Sequence, residues 1–136
     1  MLGEQIGQFT GKVAGSRVLP GDDYRYVKME MSVEQRGTLL GMPAQDMGTI
    51  TSWERIPGQV FGEGLGMMFC EAGGVIWQGH AITSMSGEGF GGTTRFSAVC
   101  QAPTEGPLAR LNSVILIGEQ TTDGEGNTTT TLWEWR

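Results

Sequence analysis

The side chains of this sequence that could do catalytic or metal chemistry are few and lie far apart. His80 is the only histidine, and Cys70 and Cys100 are the only cysteines. A transition-metal site of the usual kind needs more imidazole and thiolate ligands, at shorter spacing, than these three residues supply. We therefore expect no metal and no other cofactor.

Cys70 and Cys100 each lie within an apolar segment that resembles a strand. Free cysteine is among the most buried residue types, so we expect two buried, reduced thiols. A disulfide between the two and a reactive thiol are the alternatives.

The residues best suited to acid–base chemistry lie on two neighbouring predicted strands. Glu63 and Glu71 alternate with large apolar residues over residues 60–71, and His80 lies on the next strand. If this face points inward, the two carboxylates lie in an apolar cavity as candidate acids or polar anchors, and one could orient His80 as a general base. If it points outward, its apolar residues are exposed or cover a partner, and His80 is a hydrogen-bonded wall residue. The sequence leaves both arrangements open. It also leaves open whether Arg95 points into the barrel or outward.

Gly62, Gly64 and Gly66 alternate along the same predicted strand. A phosphate-binding glycine loop needs a strand, then the glycines, then a helix N-terminus, and no helix follows here. The glycines instead remove three side chains from one face of a strand. We expect something bulky to lie against the backbone there, such as an aromatic ring or the opposite wall of the fold.

The elements that position these residues are predicted to be β-strands. Residues 24–35 show the clearest period-two alternation of apolar and polar side chains, as in a half-buried strand. Similar runs follow, most of them joined by short turns, which indicates antiparallel pairing. A long meander buries its edges best by closing on itself, so we predict an all-β antiparallel barrel of roughly eight strands, with a β-sandwich as the alternative. Residues 1–136 are expected to form a single β-barrel domain.

Two local predictions are less regular. Arg36 and Gly37 indicate a turn, followed by a shorter strand over residues 38–44. Farther along, apolar spacing predicts a short helical turn near residues 108–111, and the β-branched run that follows predicts a buried strand from Asn112.

The charge of the chain limits its partners. The 136 residues carry a formal net charge of −6, and the basic residues are scattered. A nucleic-acid or anionic-membrane surface needs clustered Lys and Arg, so we expect neither partner. There is no apolar run long enough to span a membrane and no N-terminal signal pattern, so we expect a soluble, cytoplasmic protein.

The central third of the chain resembles a known barrel family. Between Gly62 and Pro103 the sequence carries glycine-punctuated hairpins, including GVIWQG at residues 74–79 and GGT at residues 91–93. This order resembles the allene oxide cyclase barrel and small bacterial barrels that share its fold. The resemblance implies an eight-stranded, calycin-like barrel with an apolar cavity, often as a homo-oligomer. It does not imply the cyclase activity, because fold and chemistry separate readily.

The sequence therefore favours a binding module that holds a small apolar ligand in a cavity lined by Met, Trp and Phe. The residues predicted to anchor that ligand are Glu63, Trp77, His80 and Arg95. An isomerase or cyclase acting on an apolar substrate is the first alternative, since such a reaction needs mostly shape and one or two polar groups. A structural or oligomerising protein with a filled barrel is the second.

Overall fold

The structure, a computed structural model, describes residues 1–21 and 27–136. It consists of long strands and one short 3-10 helix, Ala109–Ser113. The strands are β1 (Leu2–Leu19), β2 (Lys28–Leu39), β3 (Met42–Ile56), β4 (Gln59–Cys70), β5 (Gly73–Met85), β6 (Gly92–Gln101), β7 (Ile115–Thr122) and β8 (Asn127–Trp135). The first three residues of the strand predicted at 24–35 lie outside the described residues, and β2 begins at Lys28.

The eight strands form one closed antiparallel barrel. Each strand pairs with the next along the chain, and β1 also pairs with β8, for example Phe9 with Thr130. Closure gives every strand two hydrogen-bonded neighbours, which removes the exposed edges that an open meander would leave. The predicted fold class is confirmed, and the sandwich alternative is excluded.

The turn predicted at Arg36–Gly37 is wrong, because both residues lie inside β2. A Cβ at Gly37 would overlap the carbonyl group of Gln8 on β1, so this glycine permits a close approach of two strands. The turn lies instead at Leu40–Gly41, where both residues have positive φ, as a tight hairpin requires. β3 therefore starts at Met42, and no separate short strand exists over residues 38–44.

The interior near one end of the barrel is tightly packed. This end is formed by the β2–β3 and β4–β5 turns and by the 3-10 helix, and we call it the packed end. Leu108 and Leu111, from the segment between β6 and β7, are fully buried and plug it. They pack with buried side chains of the strands, among them Ile6, Phe9, Leu39, Met68, Val75, Leu116 and Leu132. The predicted helical turn and the strand after it are thus present, with the strand starting at Ile115.

A buried carboxylate completes the packed end. Glu134 on β8 is 1% exposed and accepts hydrogen bonds from the guanidinium groups of Arg110 and Arg136. Both arginines are partly exposed, so they neutralise the carboxylate while their outer atoms stay in water. The cluster holds the 3-10 helix to β8.

Candidate ligand cavity

The half of the barrel away from the packed end is hollow. It holds a cavity of about 480 Å³, which lies within the usual size range of small-molecule sites. Its lining reaches Glu54, Met85 and Phe90, which are exposed at the other end of the barrel, and we call this end the mouth. Most of the wall is apolar, with contributions from Val13, Met29, Met31, Val33, Ile50, Val60, Ala81 and Phe96.

Trp77 shapes the base of the cavity. Its indole ring lies against the backbone of β3 and β4 at Gly48, Gly64 and Gly66. A Cβ at Gly64 would lie 3.1 Å from the ring, and a Cβ at Gly48 or Gly66 would overlap it. The prediction that a bulky group covers the glycine face of residues 62–66 is confirmed for Gly64 and Gly66, and the group is an aromatic ring.

A carboxylate lies beside this ring. Asp46 on β3 accepts a hydrogen bond from the indole Nε1 of Trp77 to its Oδ1 at 2.8 Å. Its Oδ2 accepts a second one from the amide Nε2 of Gln35 on β2 at 3.0 Å. Both donors are neutral, and each carboxylate oxygen retains a lone pair that can accept a further hydrogen bond.

Gln35 links Asp46 to the opposite wall. Its Oε1 accepts hydrogen bonds from the hydroxyls of Thr128 and Thr130 on β8, both at 2.8 Å. Gln120 on β7 donates to the same Oε1 at 3.4 Å and to Thr130 at 2.8 Å. Gln35 is 5% exposed, so this network fixes the orientation of its amide and hence the direction from which Asp46 receives its hydrogen bond.

Burial governs the protonation of Asp46. Desolvation raises the pKa of its carboxyl above the ordinary value, and the hydrogen bonds from Gln35 and Trp77 lower it by less. No Lys or Arg lies among the cavity-lining residues in the described part of the chain. The carboxylate therefore has hydrogen-bond donors but no positive charge beside it in the cavity.

The four residues predicted to anchor a ligand are not brought together. Trp77 lines the cavity, as described above. Glu63 and His80 are cross-strand partners on β4 and β5, and their strands form part of the cavity wall. Both side chains are exposed on the outer face, because they alternate with inward-facing glycines. Arg95 is also on the outer face, where its Nε donates to Glu119 at 3.2 Å.

The orientation of β4 explains why the side chain of Glu63 lies outside the barrel. Its outer face carries Glu63 and the exposed side chains of Leu65, Met67 and Phe69, so the outward alternative for this face is the one observed. The polar residues that line the cavity include Asp46, Gln35 and Gln120, and none of these three was predicted from the sequence. The signal for Asp46 was the alternation of β3, since Asp46, Gly48 and Ile50 share one face once the strand is extended back to Met42.

The two cysteines are unpaired and half-buried. Desolvation raises the pKa of the Cys100 thiol to about 11, so this residue stays a thiol at neutral pH and is a poor nucleophile. Both cysteines are thus unpaired, as expected from the sequence, but they are half-buried and not fully buried as predicted. Across residues 1–21 and 27–136 no group of His, Cys, Asp and Glu has the arrangement of a metal site. Within the same residues no helix is long and apolar enough to cross a bilayer.

Solved structures with the same architecture come from several bacteria. A protein of unknown function from Clostridium acetobutylicum is 11% identical, with a TM-score of 0.73 and 98% of each chain covered. A conserved protein of unknown function from Rhodopseudomonas palustris is 12% identical, with a TM-score of 0.72 and 99% of each chain covered. A β-barrel-like protein from Acinetobacter baumannii is 10% identical, with a TM-score of 0.74, and the match covers 100% of this chain and 96% of that one.

At these identities the similarity shows a shared barrel fold and nothing about activity. No protein-family model matches the chain, and no curated protein does. The chain is thus a small β-barrel whose fold recurs in proteins of unknown function.

Proposed function

We propose that this protein binds a small, mainly apolar molecule inside the barrel. The observation that carries the proposal is the cavity of about 480 Å³, whose wall is largely apolar and whose base holds a half-buried carboxylate. An apolar site with a few fixed polar groups is the usual composition of a small-molecule site. The hollow half counts against a barrel filled by its own side chains.

The hydrogen-bond network supports a binding role for the base of the cavity. Asp46 and Gln35 bond to each other and to partners on β5, β7 and β8, so hydrogen bonds within the protein already orient both side chains. A site whose polar groups are ordered in advance binds more tightly, because little side-chain freedom is lost on association.

An isomerase or cyclase is the second candidate, and Asp46 is the observation that favours it. A carboxyl whose pKa is raised by burial in an apolar cavity keeps its proton to a higher pH than an exposed carboxyl does, and it can exchange that proton with a bound substrate. If the protein converts its ligand, Asp46 is the catalytic acid or base. If it only binds the ligand, Asp46 anchors the ligand's polar group. Two expectations from the sequence are kept as part of this proposal. The barrel is expected to be related to the calycin-like and allene oxide cyclase-like barrels, and the protein is expected to be a cytoplasmic homo-oligomer.

The proposal is tested by blocking the cavity from within. Ala81 on β5 lines the cavity, and Ala81→Phe adds a ring to that space. We expect binding of 1-decanol, measured by native mass spectrometry and by competition with the fluorescent dye Nile red, to weaken at least about tenfold, since the added ring occupies the volume the ligand needs.

The matched control is Ser97→Phe, which adds the same ring to the exposed outer face of β6. This variant should bind 1-decanol as the unchanged protein does. Equal binding by Ala81→Phe and the unchanged protein would show that the ligand lies elsewhere, and the cavity proposal would then be abandoned.

A further inference from the structure

The charges around the cavity restrict which apolar molecule fits it. Of the cavity-lining residues in the described part of the chain, the acidic ones are Asp46, Glu54 and Glu63, and none is Lys or Arg. Glu63 points outward, Glu54 is exposed at the mouth, and Asp46 lies at the base. A ligand with a carboxylate or phosphate would meet negative charge at both positions, and the described lining residues include no Lys or Arg to pair with it.

Asp46 has hydrogen-bond donors but no positively charged partner among the described residues that line the cavity. Its two hydrogen bonds come from neutral donors, the indole of Trp77 and the amide of Gln35. A carboxylate in an apolar cavity is costly without a positive partner, and the lining residues that the structure describes include no Lys or Arg.

Resting on the proposed binding function, we infer that the cavity is a site for an apolar molecule that carries one protonated amine. The ammonium group pairs with Asp46 at the base, and the apolar part fills the space between Met29, Met31, Ile50 and Val60. The carboxylate of Glu54 and the net charge of −6 favour the approach of such a cation to the mouth.

Three ligands of equal chain length test the head group: decylammonium, 1-decanol and decanoate, at neutral pH. We expect decylammonium to bind at least about tenfold more tightly than 1-decanol, because a charge-assisted hydrogen bond to the half-buried carboxylate is stronger than a neutral one. Decanoate should bind more weakly than 1-decanol. Equal affinities of the three, or tightest binding of decanoate, would overturn the inference and leave the cavity proposal intact.

The variant Asp46→Asn tests whether Asp46 causes the preference for decylammonium over 1-decanol. Asp46→Asn keeps the size of the side chain and an oxygen for the indole of Trp77, and it should reduce the preference for decylammonium over 1-decanol to about twofold or less. Glu34→Gln, which removes the same charge from the exposed outer face of β2, should keep the preference. A preference that survives Asp46→Asn would show that net charge alone attracts the amine.

The two proposals fail in different ways. If Ala81→Phe blocks 1-decanol and decylammonium alike, the ligand lies in the cavity, and the head-group series alone decides the inference. If Ala81→Phe leaves the binding of both unchanged, the cavity proposal fails and the amine inference fails with it. The head-group series uses the unchanged protein, so its result does not depend on how well the variants fold.

Discussion

At the scale of single residues, Asp46 decides the chemistry of the cavity. It is the carboxylate at the base, its partners are neutral, and its position is fixed by Gln35 and Trp77. Glu63 and His80, which looked more suitable in the sequence, are partners of each other on the outer face. The difference arises because residue type suggests chemistry, whereas the side of the strand decides whether a cavity can use it.

Asp46 should make the stability of the protein depend on pH. Because its pKa is raised in the folded state, folding favours the protonated form, and this contribution is complete below the unfolded pKa near 3.8. It is lost as the pH rises through the folded pKa. Gln35, Met68 and Trp77 face Asp46 from β2, β4 and β5, and none of the three titrates in this range.

The measurement is the free energy of unfolding of the unchanged protein and of Asp46→Asn between pH 3.5 and pH 8. The other carboxyl groups contribute equally to both proteins and cancel in the difference. As the pH rises, the difference should shift in favour of Asp46→Asn, which cannot ionise. A difference that stays constant over the whole range would show that burial does not perturb Asp46.

At the scale of elements, the glycines of β4 have different roles although they share one face. A Cβ at Gly66 would overlap the carbonyl oxygen of Met47 and the ring of Trp77. A Cβ at Gly62 would lie 3.4 Å from Ile50 Cγ2, an ordinary contact. Only the first position needs a glycine for the fold, since the second merely borders the cavity.

Alanine at these two positions should therefore affect the free energy of unfolding differently. Gly66→Ala is expected to lower the free energy of unfolding by about 1–3 kcal/mol, as overpacking does. Gly62→Ala should leave it unchanged or raise it by up to about 1 kcal/mol, because alanine loses less chain entropy in a strand than glycine. Denaturant unfolding measures both, and an equal loss in the two variants would contradict the packing of Trp77 described here.

Much of the element level was predictable from the sequence. Alternation and short turns predicted the closed barrel, apolar spacing predicted the helical turn before β7, and the row of glycines predicted a bulky group over β4. The turn at Arg36–Gly37 was predicted wrongly, because a glycine that permits close strand contact looks the same in sequence as one that makes a turn. Asp46 was missed because the short strand predicted over residues 38–44 ends before it, so the face that Asp46 shares with Gly48 and Ile50 was not recognised.

At the scale of the whole molecule, the barrel interior is divided into a packed half and a hollow half. The packed half holds the fully buried Leu108 and Leu111, and the hollow half holds the cavity. The outer wall carries exposed apolar side chains, including Leu65 at 63%, Val99 at 57% and Trp135 at 50%. Exposed apolar surface of this kind is common at interfaces, and the homo-oligomer expected from the sequence stays a prediction.

Folding stability should depend mainly on the packed half. Leu111→Ala is expected to lower the free energy of unfolding by about 2–5 kcal/mol, because it leaves a void at a site that is 0% exposed. Leu65→Ala, which removes the same atoms from the outer wall, should change it by about 0.5 kcal/mol or less. Urea unfolding of both variants provides the comparison, and similar losses would mean that the outer wall is covered in solution.

The division of the interior separates fold stability from ligand specificity, two properties that compete in many proteins. Residues that give the fold its stability lie around Leu108 and Leu111, and residues that would choose a ligand lie around Asp46 and Trp77 or nearer the mouth. Substitutions at Met29, Ile50 or Ala81 can change the shape of the cavity without opening the packed end. A barrel built in this way can acquire new ligands over evolution while its fold persists, which is a suitable basis for engineering the site.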